Sequence, residues 1–231
     1  MKPFQFKNFS IAQSKNVFRV GTDGVLLGAL SSVESAQNVL EVGTGTGLIG
    51  LMVAQRNAEA NIVALDITKE AVSVASQNFS QSPYSDQLLA LLSDFKEFET
   101  EMKFDLIISN PPYFEENPSL KDRIARQQTD LNFENLISKS AILLSKNGIL
   151  SLIIPFEAGE VLYKIATENQ LHLHRKVMIY GIKDSTPKRL ILEFGLGEKE
   201  FEEQEFTIEK SPREYSDEYL ELTKDFHIFK K

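Results

Sequence analysis

An apolar segment of strand length, residues 104–109, ends abruptly at an asparagine that is followed by two prolines. Neither Pro111 nor Pro112 has a backbone N–H group, so a paired strand cannot continue past them. Each proline also favours extended geometry in the residue before it. The sequence therefore predicts a rigid turn at the carboxyl end of a strand, with two aromatic residues, Tyr113 and Phe114, directly after it.

The polar groups of this turn suit a flat molecule that carries an amino group. The side-chain oxygen of Asn110 and the carbonyl oxygen of Pro111 can accept the two N–H hydrogens, while the ring of Tyr113 covers the flat face. Asn-Pro pairs also mark ordinary turns in many proteins, so the motif needs support from the rest of the chain.

Three earlier segments read as strands that end at glycine or at an acidic residue. The strand at 38–43 breaks at a glycine-rich run, 43–47, and a helix follows it; the strand at 61–66 ends in Asp66, and the strand at 88–92 is followed by Ser93-Asp94. In an open parallel sheet, ligands bind beyond the carboxyl ends of the strands. This order of elements predicts an α/β fold with a doubly wound, mostly parallel sheet and helices on both faces.

The remaining elements are predicted from caps and turns. Thr22 or Asp23 is expected to cap a short apolar helix, and a later helix is expected to end at a glycine C-cap, Gly148. Two longer apolar runs, 171–182 and 188–196, flank a turn and predict an antiparallel hairpin at the sheet edge.

Composition bounds the other possibilities. The 231 residues contain no cysteine, which excludes disulfides and thiolate metal sites. No apolar stretch has the length of a membrane span, and the start lacks a signal-peptide pattern, so a cytoplasmic protein is expected. We predict one domain over 1–231, in which 1–37 is an N-terminal cap segment and 197–231 is an acidic C-terminal tail packed on the domain.

The net charge of −8 argues against indiscriminate coating of nucleic acid, but it allows a local basic surface. Candidates for such a surface are Lys15, Arg19, Lys121, Arg123, Arg126, Lys188 and Arg189.

Together these segments resemble the class I S-adenosylmethionine-dependent methyltransferases, because residues 41–47 match the first motif of that family. The resemblance implies a Rossmann-like, seven-stranded sheet with an antiparallel last strand, and S-adenosylmethionine as cofactor. It places Asp66 at the ribose hydroxyls and Asp94 at the adenine amine of the cofactor. The implied cofactor-binding residues are Thr22, Asp23, Glu41, Gly43, Gly45, Gly47, Asp66, Ile67, Asp94 and Phe95.

The turn after residue 109 is similar to the motif of methyltransferases that act on exocyclic or amide nitrogens, which implies Asn110, Pro111, Pro112 and Tyr113 as catalytic residues. Segments 20–29 and 215–226 resemble the bacterial tRNA1(Val) adenine-37 N6-methyltransferase family. That resemblance implies a tRNA substrate. We expect a monomer with no metal.

Other functions stay open at this point. The same turn serves N-methyltransferases that act on ribosomal RNA or on a protein glutamine. Gly45, Gly47 and Gly50 also satisfy a dinucleotide-binding pattern, so an NAD-dependent oxidoreductase is a remote alternative that leaves the Asn110 turn unexplained. A non-catalytic RNA-binding module with the same fold is a third class.

Overall fold

The computed structural model of the protein describes residues 1–17, 19–111 and 132–228. Its helices are α1 (Thr22–Leu30), α2 (Leu48–Arg56), α3 (Lys69–Ser80), α4 (Phe133–Leu143), α5 (Gly159–Glu168) and α6 (Asp217–Thr223). Its strands are β1 (Phe4–Gln5), β2 (Ser10–Ile11), β3 (Asn38–Val42), β4 (Asn61–Asp66), β5 (Leu88–Leu92), β6 (Phe104–Ser109), β7 (Leu144–Pro155), β8 (His172–Ile182), β9 (Pro187–Gly195), β10 (Glu202–Ser211) and β11 (Glu214–Tyr215).

The main sheet confirms the predicted fold class. Its order is β11-β10-β8-β9-β7-β6-β3-β4-β5, and neighbouring strands from β5 to β7 are parallel. Strand β9 is antiparallel to both of its neighbours, β7 and β8. The order reverses between β3 and β6, and this is the position at which open α/β sheets bind ligands.

The predicted strand count was wrong, because the described residues contribute nine strands to the sheet rather than seven. The β8–β9 hairpin is also not the sheet edge, since β10 pairs parallel to the outer side of β8. The acidic side chains of β10 find partners there: Glu203 lies 2.8 Å from the Lys176 ammonium, and Glu205 accepts a hydrogen bond from the Tyr180 hydroxyl. Part of the segment predicted as a tail is therefore a strand, while its assignment to a single domain stays a prediction.

Both faces of the sheet are covered, as alternate residues of β3 illustrate. Val39 packs with apolar residues of α1 and α2, whereas its neighbour Leu40 packs with those of α4 and α5. Both side chains are fully buried. Period-two alternation between two apolar layers explains why the central strands are apolar on both sides.

Two predicted helix caps were wrong. Helix α1 begins at Thr22, so Gly21, which has no side chain, occupies the N-cap position, and the Asp23 carboxylate inside the first turn pairs with Arg189. Helix α4 ends at Leu143 and its C-cap residue is extended, so Gly148 is not a cap. A Cβ atom on Gly148 would lie 2.5 Å from the Phe104 carbonyl oxygen, which shows that this glycine permits close approach of β6 and β7.

The two ends of the chain meet over the α2 and α3 side of the molecule. The amide of Lys7 donates to the carbonyl oxygen of Phe226, and Phe6 forms a bridge with His227. Within the described ranges, no helix is long and apolar enough to cross a membrane.

Candidate functional site

The strand register brings the predicted site residues to one edge of the sheet. Val42 aligns with Leu65 on one side and with Ser109 on the other, so Gly43, Asp66 and Asn110 each follow an aligned residue. Neighbouring strands lie about 4.8 Å apart, so these three residues span about 10 Å. Asp66 in turn aligns with Leu92, which places Asp94 two residues further along the adjacent strand.

The glycine loop between β3 and α2 owes its shape to left-handed backbone conformations. Gly43, Gly45 and Gly47 have φ values of 77°, 56° and 80°, which side chains other than glycine rarely tolerate. The amides of Gly43 and Thr44 both donate to the Leu65 carbonyl oxygen at 2.9 Å. The loop is therefore held against β4, next to Asp66.

Glu41 lies beneath this loop rather than on its surface. Its side chain is 0% exposed, and its Oε2 atom accepts hydrogen bonds from the Thr44 hydroxyl and the Gly50 amide. Its Oε1 atom has no partner in the described parts of the chain. Burial is the main cause that raises the pKa of Glu41 to about 8; the Asp66 carboxylate acts in the same direction, and the hydrogen bonds from Thr44 and Gly50 act against it. The carboxyl group is therefore mostly protonated at neutral pH.

Asp66 holds the loop through its side chain. One carboxylate oxygen accepts from the Gly45 amide at 3.0 Å, and the other accepts from the amide and hydroxyl of Thr68, both at 2.9 Å. A carboxylate offers about four acceptor positions, so roughly one remains for a ligand. Binding both hydroxyls of a ribose would therefore displace one of these three hydrogen bonds.

The remaining cofactor-site candidates lie along the same edge. Ile67 follows Asp66 and is half-buried. The Asp94 carboxylate is half-buried, accepts a hydrogen bond from the Lys96 amide, and lies 3.7 Å from the Lys96 ammonium. Phe95 points away from this edge, since its side chain is 3% exposed and belongs to the apolar cluster of α4 and α5.

The end of β6 is fixed to the end of β3 by a buried side chain. The Ser109 hydroxyl donates to the Val42 carbonyl oxygen at 2.8 Å. Asn110 follows at the surface as a half-buried residue, and Pro111 is buried. Pro112 and Tyr113, like Phe114, lie outside the described residues, as do Lys121, Arg123 and Arg126.

Thr22 and Asp23 form the start of α1. Thr22 is exposed, whereas the Asp23 carboxylate lies 2.9 Å from the Arg189 Nε atom. Arg189 aligns with Pro155 at the carboxyl end of β7, so this pair joins the helix to the functional edge of the sheet.

Asn78, which no sequence motif indicated, also organises this region. Asn78 of α3 is 1% exposed and donates hydrogen bonds to the carbonyl oxygens of Thr46 and Ala12, while it accepts one from the Ala12 amide. It joins the N-terminal segment to the glycine loop. Only its polarity on an apolar helix face could have indicated this.

The described residues fit an adenosine-containing cofactor at the glycine loop. A Cβ atom on Gly43 would meet no heavy atom within 4 Å, so the backbone there faces open space. By contrast, a Cβ atom on Gly50 would lie 2.8 Å from the Glu41 Oε2 atom, which makes Gly50 a packing residue beneath the loop. Among the described residues, no group of three His, Asp or Glu side chains could hold a metal ion.

Comparison with known proteins adds family information to this geometry. The family described as methyltransferase small domain matches residues 5–161. A curated relative from Flavobacteriaceae bacterium (strain 3519-10) is 53% identical over 230 residues, which is 99% of this chain and 100% of the relative. A second, from Bacteroides thetaiotaomicron, is 38% identical over 99% of this chain and 98% of the relative. Both relatives are named tRNA1(Val) (adenine(37)-N6)-methyltransferase.

Solved structures share the fold. A crystal structure described as a predicted O-methyltransferase from Agrobacterium tumefaciens has a TM-score of 0.69 at 16% identity, over 88% of this chain and 96% of that chain. The N-methyltransferase NodS from Bradyrhizobium japonicum, in complex with S-adenosyl-L-homocysteine, has a TM-score of 0.53 at 20% identity, over 75% of this chain and 83% of that chain.

Proposed function

The chain belongs to the methyltransferase small domain family, and from this premise we propose that it transfers a methyl group from S-adenosylmethionine to adenine N6 in tRNA. The proposed target is position 37 of tRNA1(Val), in line with the names of relatives that match almost the whole chain. The observation that carries the chemistry is the position of Asn110 beside Gly43 at adjacent strand ends, fixed by the Ser109–Val42 hydrogen bond.

The cofactor is proposed to lie over the glycine loop. The bare backbone at Gly43 would admit it, and the carboxylates of Asp66 and Asp94 would accept hydrogen bonds from its ribose and its adenine amine. When bound, S-adenosylmethionine supplies an electrophilic methyl group on a sulfonium. Glu41 would act from beneath, by holding the loop through Thr44 and Gly50.

Asn110 and Pro111 are proposed to orient the target amine. The lone pair of an aromatic amine is delocalised into the ring, so the nitrogen is a weak nucleophile. If the Asn110 side-chain oxygen and the Pro111 carbonyl oxygen accept both N6 hydrogens, they fix the direction of the lone pair and stabilise positive charge that develops on nitrogen. The target base must leave its stack to reach these groups, which favours a loop of the RNA.

Incubation of the purified protein with total tRNA and labelled S-adenosylmethionine, followed by nucleoside analysis, tests the proposal. N6-methyladenosine in tRNA is the expected product. Asn110→Ala should lower turnover by about 100-fold or more while cofactor binding stays near that of the wild type. Label in another nucleoside or in protein would overturn the proposal, and loss of both turnover and cofactor binding in Asn110→Ala would make Asn110 a structural residue.

The alternatives differ in their expected products. Methylation of ribosomal RNA or of a protein glutamine would retain the same use of Asn110, and parallel incubations with these substrates separate them. The oxidoreductase alternative has lost its support, because the family is a methyltransferase family. A cytoplasmic monomer remains a prediction from the sequence.

A further inference from the structure

Two chain turns lie side by side at the edge of the sheet that carries Asn110. The first, residues 183–186, joins β8 to β9, and the second, residues 212–213, joins β10 to β11. They are adjacent because Ile182 aligns with Glu209, and because the Lys183 amide donates to the Glu209 carbonyl oxygen at 3.0 Å. Strands β8 and β10 run parallel to each other, and both run in the direction of β6 and β7. Their ends therefore face the same way as the end of β6.

Cations at these turns lack neutralising partners. Lys183 lies in the first turn, Arg213 lies in the second, and Lys188 is the second residue of β9. All three side chains are exposed, and none forms an ion pair within 4.0 Å with a described residue. Arg189, a candidate from the sequence, is engaged with Asp23 instead. Lys210 is likewise engaged, with Glu214 and Asp217.

The opposite edge of the sheet has a different pattern. Four cations near the starts of the strands there are paired with carboxylates, namely Arg56 with Glu34, Arg175 with Glu193, Lys176 with Glu203 and Lys199 with Glu202. Lys103 and Lys146, also at that edge, are exposed and form no ion pair within 4.0 Å with a described residue. Although the net charge of the chain is −8, three exposed cations without an ion pair among the described residues lie close together at the functional edge, beside one exposed carboxylate, Asp184. Such a cluster of cations favours contact with a polyanion.

We infer that Lys183, Lys188 and Arg213, here called the turn surface, contact phosphate groups of the RNA strand whose base enters the site at Asn110. This inference rests on the proposed function, and it adds the position of the RNA strand on the protein surface. The strand order places β10 four strands from β6, or about 19 Å at ordinary strand spacing. This distance corresponds to a few nucleotides of backbone, so one RNA loop can reach both places.

A groove beside Arg213 extends the turn surface. Its volume is about 630 Å³, and its lining includes the rings of Phe4, Tyr215 and His227, the Arg213 side chain, and the paired side chains of Lys210 and Glu214. Aromatic rings beside cations are the combination that binds unpaired bases together with their phosphates. The groove is therefore placed to receive an RNA base next to the strand that the turn surface holds.

Binding of a full-length tRNA transcript at several salt concentrations tests the inference. The test variant is Lys183→Ala/Lys188→Ala/Arg213→Asn; asparagine is chosen because Arg213 has φ 68° and asparagine tolerates left-handed backbone. The matched control is Lys103→Ala/Lys146→Ala/Lys199→Ala, which removes the same charge from exposed positions at the opposite edge. Thermal unfolding and cofactor titration of all proteins verify that each variant is folded.

The test variant should bind tRNA about tenfold or more weakly, and the slope of log affinity against log salt should fall by about 2, because three phosphate contacts are lost. Its KM for tRNA should rise while kcat at saturating tRNA stays near that of the wild type. The control should bind tRNA with the wild-type slope.

Wild-type binding by the test variant, or equal weakening of the control, would overturn the inference. Failure of the proposed function has a different result: the wild-type protein itself would then place no methyl group on tRNA adenine. A wild-type enzyme that methylates tRNA, together with a test variant that binds tRNA normally, would reject only the turn surface.

Discussion

The buried side chain of Asn78 donates a hydrogen bond to the Thr46 carbonyl oxygen, at a distance of 2.8 Å. The same side chain accepts a hydrogen bond from the Ala12 amide and donates one to the Ala12 carbonyl oxygen. Asn78 therefore contacts both the glycine loop and the N-terminal segment. Since these contacts all go to the backbone, we expect Asn78 to act by positioning the loop.

Asn78→Ala should therefore raise the KM for S-adenosylmethionine several-fold and change kcat less. Loss of three buried hydrogen bonds should also cost about 2–3 kcal/mol of unfolding free energy. Initial rates over a range of cofactor concentrations, together with urea unfolding, measure the two effects. The matched control is Asn169→Ala, whose side chain donates to the Ile165 carbonyl oxygen at the end of α5. If both variants change the cofactor KM equally, the effect is one of general stability.

The glycines of the loop should respond differently to alanine. At Gly43 the φ of 77° costs a side chain about 1–2 kcal/mol, and the added methyl group would project into open space where the cofactor is proposed. Gly43→Ala should remain folded and bind S-adenosylmethionine about tenfold more weakly, as calorimetric titration would measure. Gly197→Ala, which also adds a methyl group in open space but away from the loop, should bind normally. Normal binding by Gly43→Ala would move the cofactor away from this backbone.

Gly47→Ala adds a steric conflict to the same backbone strain, because its Cβ atom would lie 2.4 Å from the Phe79 ring. We expect a larger loss of unfolding free energy than for Gly43→Ala, by about 1–3 kcal/mol. Denaturant unfolding of Gly47→Ala/Phe79→Leu should show that shortening the ring recovers part of the loss. Additive losses in the double variant would mean that the ring is not the obstacle.

Much of this site was predictable from the sequence because its signals are local. Strands β3, β4 and β6 are apolar runs with a glycine, an acid or a proline at the end, and each was predicted within a residue or two. Their register follows from the parallel sheet once the order is known. Thus the approach of Gly43, Asp66 and Asn110 could be expected without coordinates.

The features that could not be predicted depend on distant contacts. Asn78 forms hydrogen bonds with residues that lie 32 and 66 positions away in the sequence, and no local sequence pattern indicates those partners. Strand β10 was not predicted because acids occupy four of its ten positions, while the apolar alternation is limited to Phe206 and Ile208. Its carboxylates become favourable only beside the polar groups of β8, such as Lys176.

The buried carboxyl of Glu41 predicts a pH dependence of stability. Burial raises its pKa to about 8 from an ordinary value of 4.5, so the folded protein binds more protons than the unfolded chain between these values. The free energy of unfolding should therefore fall as the pH rises through this window, by at most about 1.4 kcal/mol per pH unit, and should level off above it.

Comparison with Glu41→Gln isolates this contribution from that of other groups. The amide keeps an oxygen for Thr44 and Gly50 but cannot ionise, so the difference in unfolding free energy from the wild type should grow in favour of the variant between about pH 6 and 8. Urea unfolding at four pH values measures it, and Glu59→Gln at an exposed position is the control. A constant difference across this range would show that Glu41 is charged in the folded protein.

The Asp23–Arg189 pair separates a positioning role of Asp23 from direct contact with the cofactor. The carboxylate lies 2.9 Å from the guanidinium, and both side chains are about one-quarter exposed, at 26% and 28%. We therefore expect Asp23→Asn and Arg189→Gln to weaken S-adenosylmethionine binding to the same extent, because each releases the start of α1 from the start of β9, which lies beside the end of β7. The double variant should bind no more weakly than either single variant, with a coupling energy of about 1 kcal/mol in stability.

The control cycle uses Lys176→Gln and Glu203→Gln, a pair at 2.8 Å near the opposite edge, which should couple in stability without changing cofactor affinity. If Asp23→Asn alone weakens cofactor binding, the carboxylate touches the cofactor, and Arg189 then only limits where that carboxylate points.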